Sequence, residues 1–203
     1  MNTKFSDKCL RGMAGAHAAM FTPFDRKGRV NGEAIDALIE HGLRGGLKGF
    51  YLTGSTGEGM LLTAEERKYV YARAVKAAKG RCKLIAQVGC VRTDEAIELA
   101  KAAADAGVDW ISSVAPVYFG QNFPSTLRHY KAISEATDLP FLIYAFNATL
   151  VPERDIRLVD LVVGEFPDNW SGFKVLMKAV GIDCGPCRAP YAPLTKAEER
   201  QRL

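Results

Sequence analysis

The stretch Gly49-Phe-Tyr-Leu-Thr-Gly-Ser-Thr-Gly-Glu-Gly59 decides the fold of this chain, because an apolar run ends there abruptly in glycines and hydroxyls. This pattern is typical of a buried strand that delivers a polar loop to one rim of a parallel sheet. Gly54 and Gly57 allow a tight turn and a close backbone approach. Ser55 and Thr56 offer hydroxyl groups beside free backbone N–H groups at the start of the next helix. The loop therefore suits a carboxylate or a phosphate.

A glycine-rich turn between a strand and a helix, without any ligand, accounts for the same sequence equally well. No Gly-Lys-Ser/Thr follows the loop, which argues against a P-loop. The glycine spacing also differs from the dinucleotide-binding fingerprint. The spacing alone leaves an anion site and a plain turn open.

The composition places the chain among globular proteins. Its 203 residues are 48% hydrophobic and 25% charged, which is enough apolar material for one sizeable domain over residues 1–203. The net charge of +4 comes from basic residues interleaved with acidic ones, so we expect neither nucleic acid nor a membrane surface as a partner. No apolar run approaches the ~20 residues of a membrane span. Five cysteines without a small-scaffold spacing fit reduced thiols, and we expect a cytoplasmic protein.

Short apolar strands alternate with amphipathic helices along the first two thirds of the chain. Two helix starts carry clear signals: Thr63-Ala-Glu-Glu66 spells a capping box, and Thr93 precedes two acids. We predict strands over residues 16–24, 48–53, 83–89, 109–116 and 140–146, and helices over 32–44, 64–79, 94–106 and 124–136.

Repeated strand–helix units joined by short loops require right-handed crossovers and a parallel sheet. A doubly wound sheet and an eight-fold barrel both satisfy this requirement. The predicted strands end in polar or aromatic residues, which favours a TIM-type (β/α)8 barrel with its active site on that rim. These residues are Thr22, Thr53, Tyr118 and Tyr144.

The regular pattern stops after Tyr144. A barrel of this type usually takes about 250 residues, whereas five or six strand–helix units are visible here. Residues 173–180 resemble a terminal helix, and Thr195-Lys-Ala-Glu198 is a second capping box. We therefore predict an incomplete barrel, with the first five units in residues 12–150 and a helical C-terminal segment in 162–203.

Three side chains are candidates for chemistry. A phenol at the carboxyl end of a strand can relay a proton, and Tyr144 and Tyr118 both fit this role, although a rim aromatic in contact with water is the commoner case. Lys174 interrupts an apolar run, and a lysine in an apolar pocket can attack a ketone to form a Schiff base. A helix lysine whose head reaches solvent explains Lys174 at least as well.

Cys184-Gly-Pro-Cys187 has the dithiol spacing of thioredoxin-like sites, but the two prolines that follow argue against the helix that such a site needs. A zinc site would need a second ligand pair, so we expect no metal. His17, His41 and His129 are scattered, and we interpret them as structural or surface residues.

Several motifs together resemble the N-acetylneuraminate lyase and dihydrodipicolinate synthase superfamily, which consists of class I aldolases on a (β/α)8 barrel. The resemblance runs in order from about residue 12 to 150 and again from about 162 to the end. The motifs are Phe21-Thr-Pro-Phe-Asp25, Gly54-Ser-Thr-Gly-Glu58, Pro116-Val-Tyr118, the strand ending at Tyr144, and Gly181-Ile-Asp-Cys-Gly-Pro-Cys-Arg-Ala-Pro190.

The resemblance implies pyruvate chemistry without a cofactor. A barrel lysine forms a Schiff base with a keto acid, and Ser55, Thr56 and the loop N–H groups hold its carboxylate. Tyr144 shuttles the proton during C–C cleavage or formation, and Tyr118 reaches a neighbouring subunit's site. The implied partners are a keto acid with a pyruvate moiety, an aldehyde, and further copies of the chain in a dimer or tetramer. Ser55 favours the lyase branch slightly, because the synthases more often have threonine there.

The chain departs from the family at the Schiff-base lysine, which in the family ends the sixth strand in a short Gly-apolar-Lys stretch. Gly172-Phe-Lys174 imitates that stretch at nearly the right distance from Tyr144. Lys174 also stands seven residues before Gly181, where the family carries an ordinary lysine in its terminal helix. The alignment that places Lys174 in the terminal helix continues without a gap to Cys187, so we favour this alignment.

In that alignment, the chain lacks an internal block that contains the sixth to eighth strands and the nucleophile. Two edges and much apolar surface are then exposed, which predicts poor solubility or obligate association. Two hypotheses stay open. The chain is either an aldolase with Lys174 as its candidate amine, or a non-catalytic remnant or binding module of the same fold.

Overall fold

The computed structural model describes residues 12–116, 123–144, 174, 181–189 and 195–196. Strands and helices alternate through this part of the chain, as the sequence predicts. The strands are β1 (His17–Ala19), β2 (Gly49–Leu52), β3 (Lys83–Gln87), β4 (Trp110–Ser113) and β5 (Phe141–Ile143). The helices are α1 (Gly32–Arg44), α2 (Ala64–Ala78), α3 (Thr93–Ala106) and α4 (Phe123–Glu135), and a 3-10 turn spans Gly59–Leu61.

The five strands form one parallel sheet in the order β1-β2-β3-β4-β5. Each strand therefore pairs with the next strand along the chain, and His17 lies opposite Gly49, which lies opposite Lys83. A doubly wound sheet reverses its strand order at a switch point, and no reversal occurs among these five strands. This order is that of a (β/α) barrel, which confirms the predicted fold class in its incomplete form.

The helices begin where short-range signals place them. The Asn31 side chain accepts hydrogen bonds from the backbone N–H groups of Glu33 and Ala34 and so caps α1. The predicted capping box of α2 is present: the Thr63 hydroxyl accepts from the Glu66 N–H, and the Glu66 carboxylate accepts from the Thr63 N–H. Successive helices pack side by side, α1 on α2, α2 on α3 and α3 on α4.

One core cluster joins the helices to the sheet. It contains fully buried residues from each of the four helices and from the strands, among them Ile35, Val70, Leu99, Ile133, Leu52 and Ile111. The buried polar residues Thr53, Gln87, Ser112 and Ser113 lie at or just beyond the carboxyl ends of β2, β3 and β4. Polar groups are thus concentrated at one rim of the sheet, where a barrel of this class carries its site.

Several element bounds differ from the prediction, and two of the differences involve contacts between distant segments. The first strand is three residues long instead of spanning 16–24, because the chain turns away after Met20 and the Phe24 N–H donates to the carbonyl oxygen of Cys184 (3.0 Å). Thr93 is the first residue of α3, and its hydroxyl contacts Nδ1 of His129 (2.9 Å) instead of capping the helix.

The predicted C-terminal helical segment, 162–203, lies largely outside the described residues. Residues 181–189 of this segment are described, and Gly185 approaches the backbone of Phe24 so closely that a Cβ atom would stand 2.0 Å from the Phe24 carbonyl oxygen. The C-terminal segment therefore docks on the loop that follows β1.

Candidate active site

The loop after β2 is the first part of the candidate site. Thr53 adopts a left-handed backbone conformation with φ 52°, and its hydroxyl donates to the Gln87 carbonyl oxygen (3.0 Å). A Cβ atom on Gly57 would stand 2.9 Å from the Met20 carbonyl oxygen, and one on Gly59 would stand 1.8 Å from the Thr53 carbonyl oxygen. The two glycines are therefore required by close backbone approach.

Within this loop, Ser55 is exposed and Thr56 is half-buried. The loop closes on itself through hydrogen bonds from the Glu58 N–H to the Ser55 carbonyl and from the Gly59 N–H to the Gly54 carbonyl (3.0 Å each). Neither hydroxyl, of Ser55 or of Thr56, has a hydrogen-bond partner among the described residues. Both remain available to a ligand.

Tyr144 lies at the same rim, directly after β5, and its backbone N–H donates to the Ser113 carbonyl (2.9 Å). Its ring centroid is 5.9 Å from that of Tyr51, and its residue surface is 44% exposed. A Cβ atom on Gly54 would stand 2.7 Å from the Tyr51 ring. Tyr51 therefore connects the loop to Tyr144.

The sequence does not single out Tyr51, because Gly49-Phe-Tyr-Leu52 lacks the alternation that would place its side chain on one face. Its phenol donates to the Ser112 Oγ (3.1 Å), and burial raises the pKa of this phenol to about 12. Tyr51 therefore stays protonated at neutral pH. Tyr118, the other predicted tyrosine, lies outside the described residues.

Lys174 is enclosed by polar groups of the loops after β1 and β2 and of the C-terminal segment. It is 2% exposed, and its Nζ is 2.6 Å from Oε1 of Glu58. Nζ also donates to the carbonyl oxygens of Thr22 (3.0 Å) and Pro186 (3.2 Å), and lies 4.5 Å from the ring centroid of Phe24. The contact with Glu58 is an ion pair by distance and lacks hydrogen-bond geometry. Among the described contacts, none joins Lys174 to Tyr144.

Glu58 and Arg188 complete this buried network. The backbone N–H of Arg188 donates to Oε2 of Glu58 (2.8 Å), so both oxygens of this carboxylate face the C-terminal segment. The Arg188 guanidinium pairs with Glu66 and lies 4.4 Å from the Phe24 ring centroid. Its hydrogen bond to Glu66 lowers the pKa of that carboxyl to about 2. Glu58 and Arg188 belong to two of the family motifs in the sequence, but no rule of sequence spacing predicts that they contact each other.

Three of the remaining residues singled out in the sequence, Cys184, Cys187 and His129, are buried. Burial raises the pKa of the Cys184 thiol to about 12, which opposes thiol–disulfide exchange. His129 is buried, and burial lowers its pKa. Across the described ranges there is no group of three His, Cys, Asp or Glu side chains that could hold a metal ion. None of the described helices has the length and apolar character that crossing a bilayer requires.

A parallel sheet whose strands follow chain order, with polar residues at its carboxyl rim, defines an incomplete TIM-type barrel. Within that class, the chain belongs to the dihydrodipicolinate synthetase family, which it matches over residues 12–162.

Curated relatives come from two branches. The chain is 38% identical to a 4-hydroxy-tetrahydrodipicolinate synthase of Bacillus velezensis over 147 residues, which are 70% of this chain and 51% of that protein. It is 38% identical to an N-acetylneuraminate lyase of Clostridium perfringens over 134 residues, which are 66% of this chain and 46% of that protein. The chain thus spans about half the length of the curated relatives it matches.

Solved structures show the same fold. The sialic acid aldolase of Ruminococcus gnavus, solved as a catalytic lysine mutant, superposes with a TM-score of 0.81 at 20% identity, covering 95% of each chain. The dihydrodipicolinate synthase of Aquifex aeolicus superposes with a TM-score of 0.62 at 37% identity, covering 64% of this chain and 44% of that one.

Proposed function

We propose that this chain serves a pyruvate-dependent Schiff-base aldolase or lyase reaction on a 2-keto acid such as N-acetylneuraminate, in the cytoplasm and as a homo-oligomer. The observation that carries the proposal is the pair of unpartnered hydroxyls on Ser55 and Thr56, in a glycine loop that touches Tyr51 and so adjoins Tyr144. Relatives named as a 4-hydroxy-tetrahydrodipicolinate synthase and an N-acetylneuraminate lyase support it.

In the proposed complex, the keto-acid carboxylate binds to the loop Gly54–Gly57. The hydroxyls of Ser55 and Thr56 donate to it, and the glycines let the ligand approach the backbone. Tyr144, exposed at the rim, passes a proton to or from the substrate oxygen as the C–C bond breaks or forms. Tyr118 is proposed to act in a neighbouring subunit's site.

The mechanism also needs an amine that forms the Schiff base. A Schiff base forms when an uncharged amine attacks the ketone, so its nitrogen needs a free lone pair. Lys174 is the candidate of this chain, and it must leave Glu58 and two carbonyl oxygens before it can react. This enclosure favours a second candidate function, a member of the fold that binds keto acids through Ser55 and Thr56 without covalent chemistry.

Trapping with borohydride separates the two functions. The protein is incubated with pyruvate and borohydride, its intact mass is measured, and the labelled peptide is mapped, with Lys174→Arg as the matched control. For the aldolase, we expect one reduced pyruvyl adduct on Lys174 that the arginine variant lacks. A protein without an adduct whose saturable pyruvate binding is lost in Ser55→Ala/Thr56→Val is the binding module. Folded protein that neither binds nor traps pyruvate contradicts both.

A further inference from the structure

We propose that Lys174 and residues 181–188, together called the clamp, position the keto-acid loop through Glu58, and that Lys174 is a positioning residue. The proposal rests on the proposed function in one respect, namely that the loop Gly54–Gly57 holds the keto-acid carboxylate. It assigns a role to Glu58 and to the Arg188 backbone, which the proposed reaction does not use, and it gives Lys174 a role other than that of the nucleophile.

The first argument is the state of Glu58. This residue is 3% exposed, and its backbone is left-handed with φ 55°, a conformation that is unfavourable for a residue with a side chain. Its carboxylate is bound on one oxygen by Nζ of Lys174 (2.6 Å) and on the other by the N–H of Arg188 (2.8 Å). A buried carboxylate is stable only when it is paired, so the clamp holds Glu58 in this conformation.

The second argument is the path from the clamp to the loop. Glu58 follows Thr56 and Gly57 directly, and its N–H donates to the Ser55 carbonyl (3.0 Å). A second path runs from Nζ of Lys174 to the Thr22 carbonyl (3.0 Å). The Thr22 hydroxyl then donates to the Gly57 carbonyl (2.6 Å).

The two paths reach the backbone at the carbonyl groups of Ser55 and Gly57 and leave the hydroxyls of Ser55 and Thr56 free. The clamp therefore fixes where Ser55 and Thr56 point without competing for the ligand. Removing the Lys174 charge leaves Glu58 buried and unpaired, and we expect the loop to rearrange so that this carboxylate reaches water.

The test compares Lys174→Met, Glu58→Gln, their double variant and Lys174→Arg, with Lys83→Met as the matched control. Lys83 forms an ion pair with Asp109 (2.6 Å) at the start of β3, away from the rim, and its side chain is 46% exposed. We expect Lys174→Met to weaken pyruvate affinity by about tenfold and the double variant to recover part of the loss. Lys83→Met and Lys174→Arg should change the affinity by no more than about threefold.

Hydrogen exchange of the unliganded proteins provides the second measurement. Amides of residues 54–58 should exchange faster in Lys174→Met, while those of α3 are unchanged. Unchanged exchange at the loop overturns the clamp even if the wild type binds no pyruvate, a result that would count against the proposed function alone. An equal loss of affinity in Lys174→Arg and Lys174→Met also overturns it, because a nucleophile, unlike a positioning cation, cannot be replaced by arginine.

Discussion

At the scale of single residues, Gly185 is a position where the described part of the C-terminal segment lies directly against the barrel backbone. Its φ is 66°, and a Cβ atom would stand 2.0 Å from the Phe24 carbonyl oxygen. Gly80 offers a matched control, because its φ is 70° and nothing lies within 4 Å of its Cβ position. We expect Gly80→Ala to lower the free energy of unfolding by about 1 kcal/mol, from the left-handed backbone alone.

Gly185→Ala adds the clash to the same backbone cost, so we expect a loss of about 2–4 kcal/mol in urea denaturation. The backbone hydrogen bond from Phe24 to Cys184 should break, and exchange at the Phe24 amide should rise. Equal losses in the two variants would show that the C-terminal segment does not pack against Phe24 as described.

Residues whose roles depend on local sequence could be predicted, whereas contacts between distant residues could not. The glycines and hydroxyls of the loop could be predicted from the sequence because turn formation depends on neighbouring residues. Glu58 and Lys174 are 116 positions apart, and their ion pair depends on how the segments pack. Lys174 was predicted as a candidate from an interrupted apolar run, which indicates a buried amine but does not identify its partner.

At the scale of elements, the start of α2 is tied to the clamp. Glu66 closes the capping box of α2 and also pairs with Arg188, which lowers the pKa of Glu66 from its ordinary 4.5 to about 2. A carboxyl whose folded pKa is lowered contributes stability that is complete above pH 4.5 and is lost as the pH falls towards 2. The pairing therefore makes the protein acid-sensitive in this window.

We expect Glu66→Gln to be less stable than the wild type by about 2 kcal/mol at pH 6 and to differ little from it at pH 2. Glutamine keeps the capping box, so the difference isolates the charge. Urea denaturation at half-unit intervals from pH 6 to 2 measures it, and Glu65→Gln, which lies on the exposed side of α2, is the control. A constant difference across the range would contradict a role for the Arg188 pair.

Element bounds were predicted well where the signals were local. The predicted bounds of α1 coincide with the observed Gly32–Arg44, since an Asn31 cap and an amphipathic period define it. The first strand was predicted too long because its end depends on Cys184, 160 positions further along the chain. Tyr51 escaped prediction because its contact with Ser112 arises only when β4 lies close to β2 across the rim.

At the scale of the whole molecule, β1 and β5 each pair with a single strand among the described residues. An edge strand presents unpaired backbone groups to other chains, and Ile143 of β5 is 59% exposed. We therefore expect the protein to self-associate at micromolar concentration in sedimentation experiments. Ile143→Lys should shift the distribution towards the monomer.

Leu127 provides the matched control for this experiment, because it is 53% exposed but lies on α4. Leu127→Lys should leave the sedimentation profile unchanged. A profile that responds equally to both substitutions would indicate nonspecific hydrophobic association instead of pairing at the β5 edge.

The clamp also has a consequence for the order of folding. Its contacts with the β1 and β2 loops join residues 116 to 160 positions apart, so they belong to the slowest class of contacts to form. During synthesis, the sheet and its helices are available long before residues 174–188 leave the ribosome. We therefore expect Glu58 to stay exposed to solvent until the clamp docks, so that the loop after β2 becomes ordered in the last step of folding.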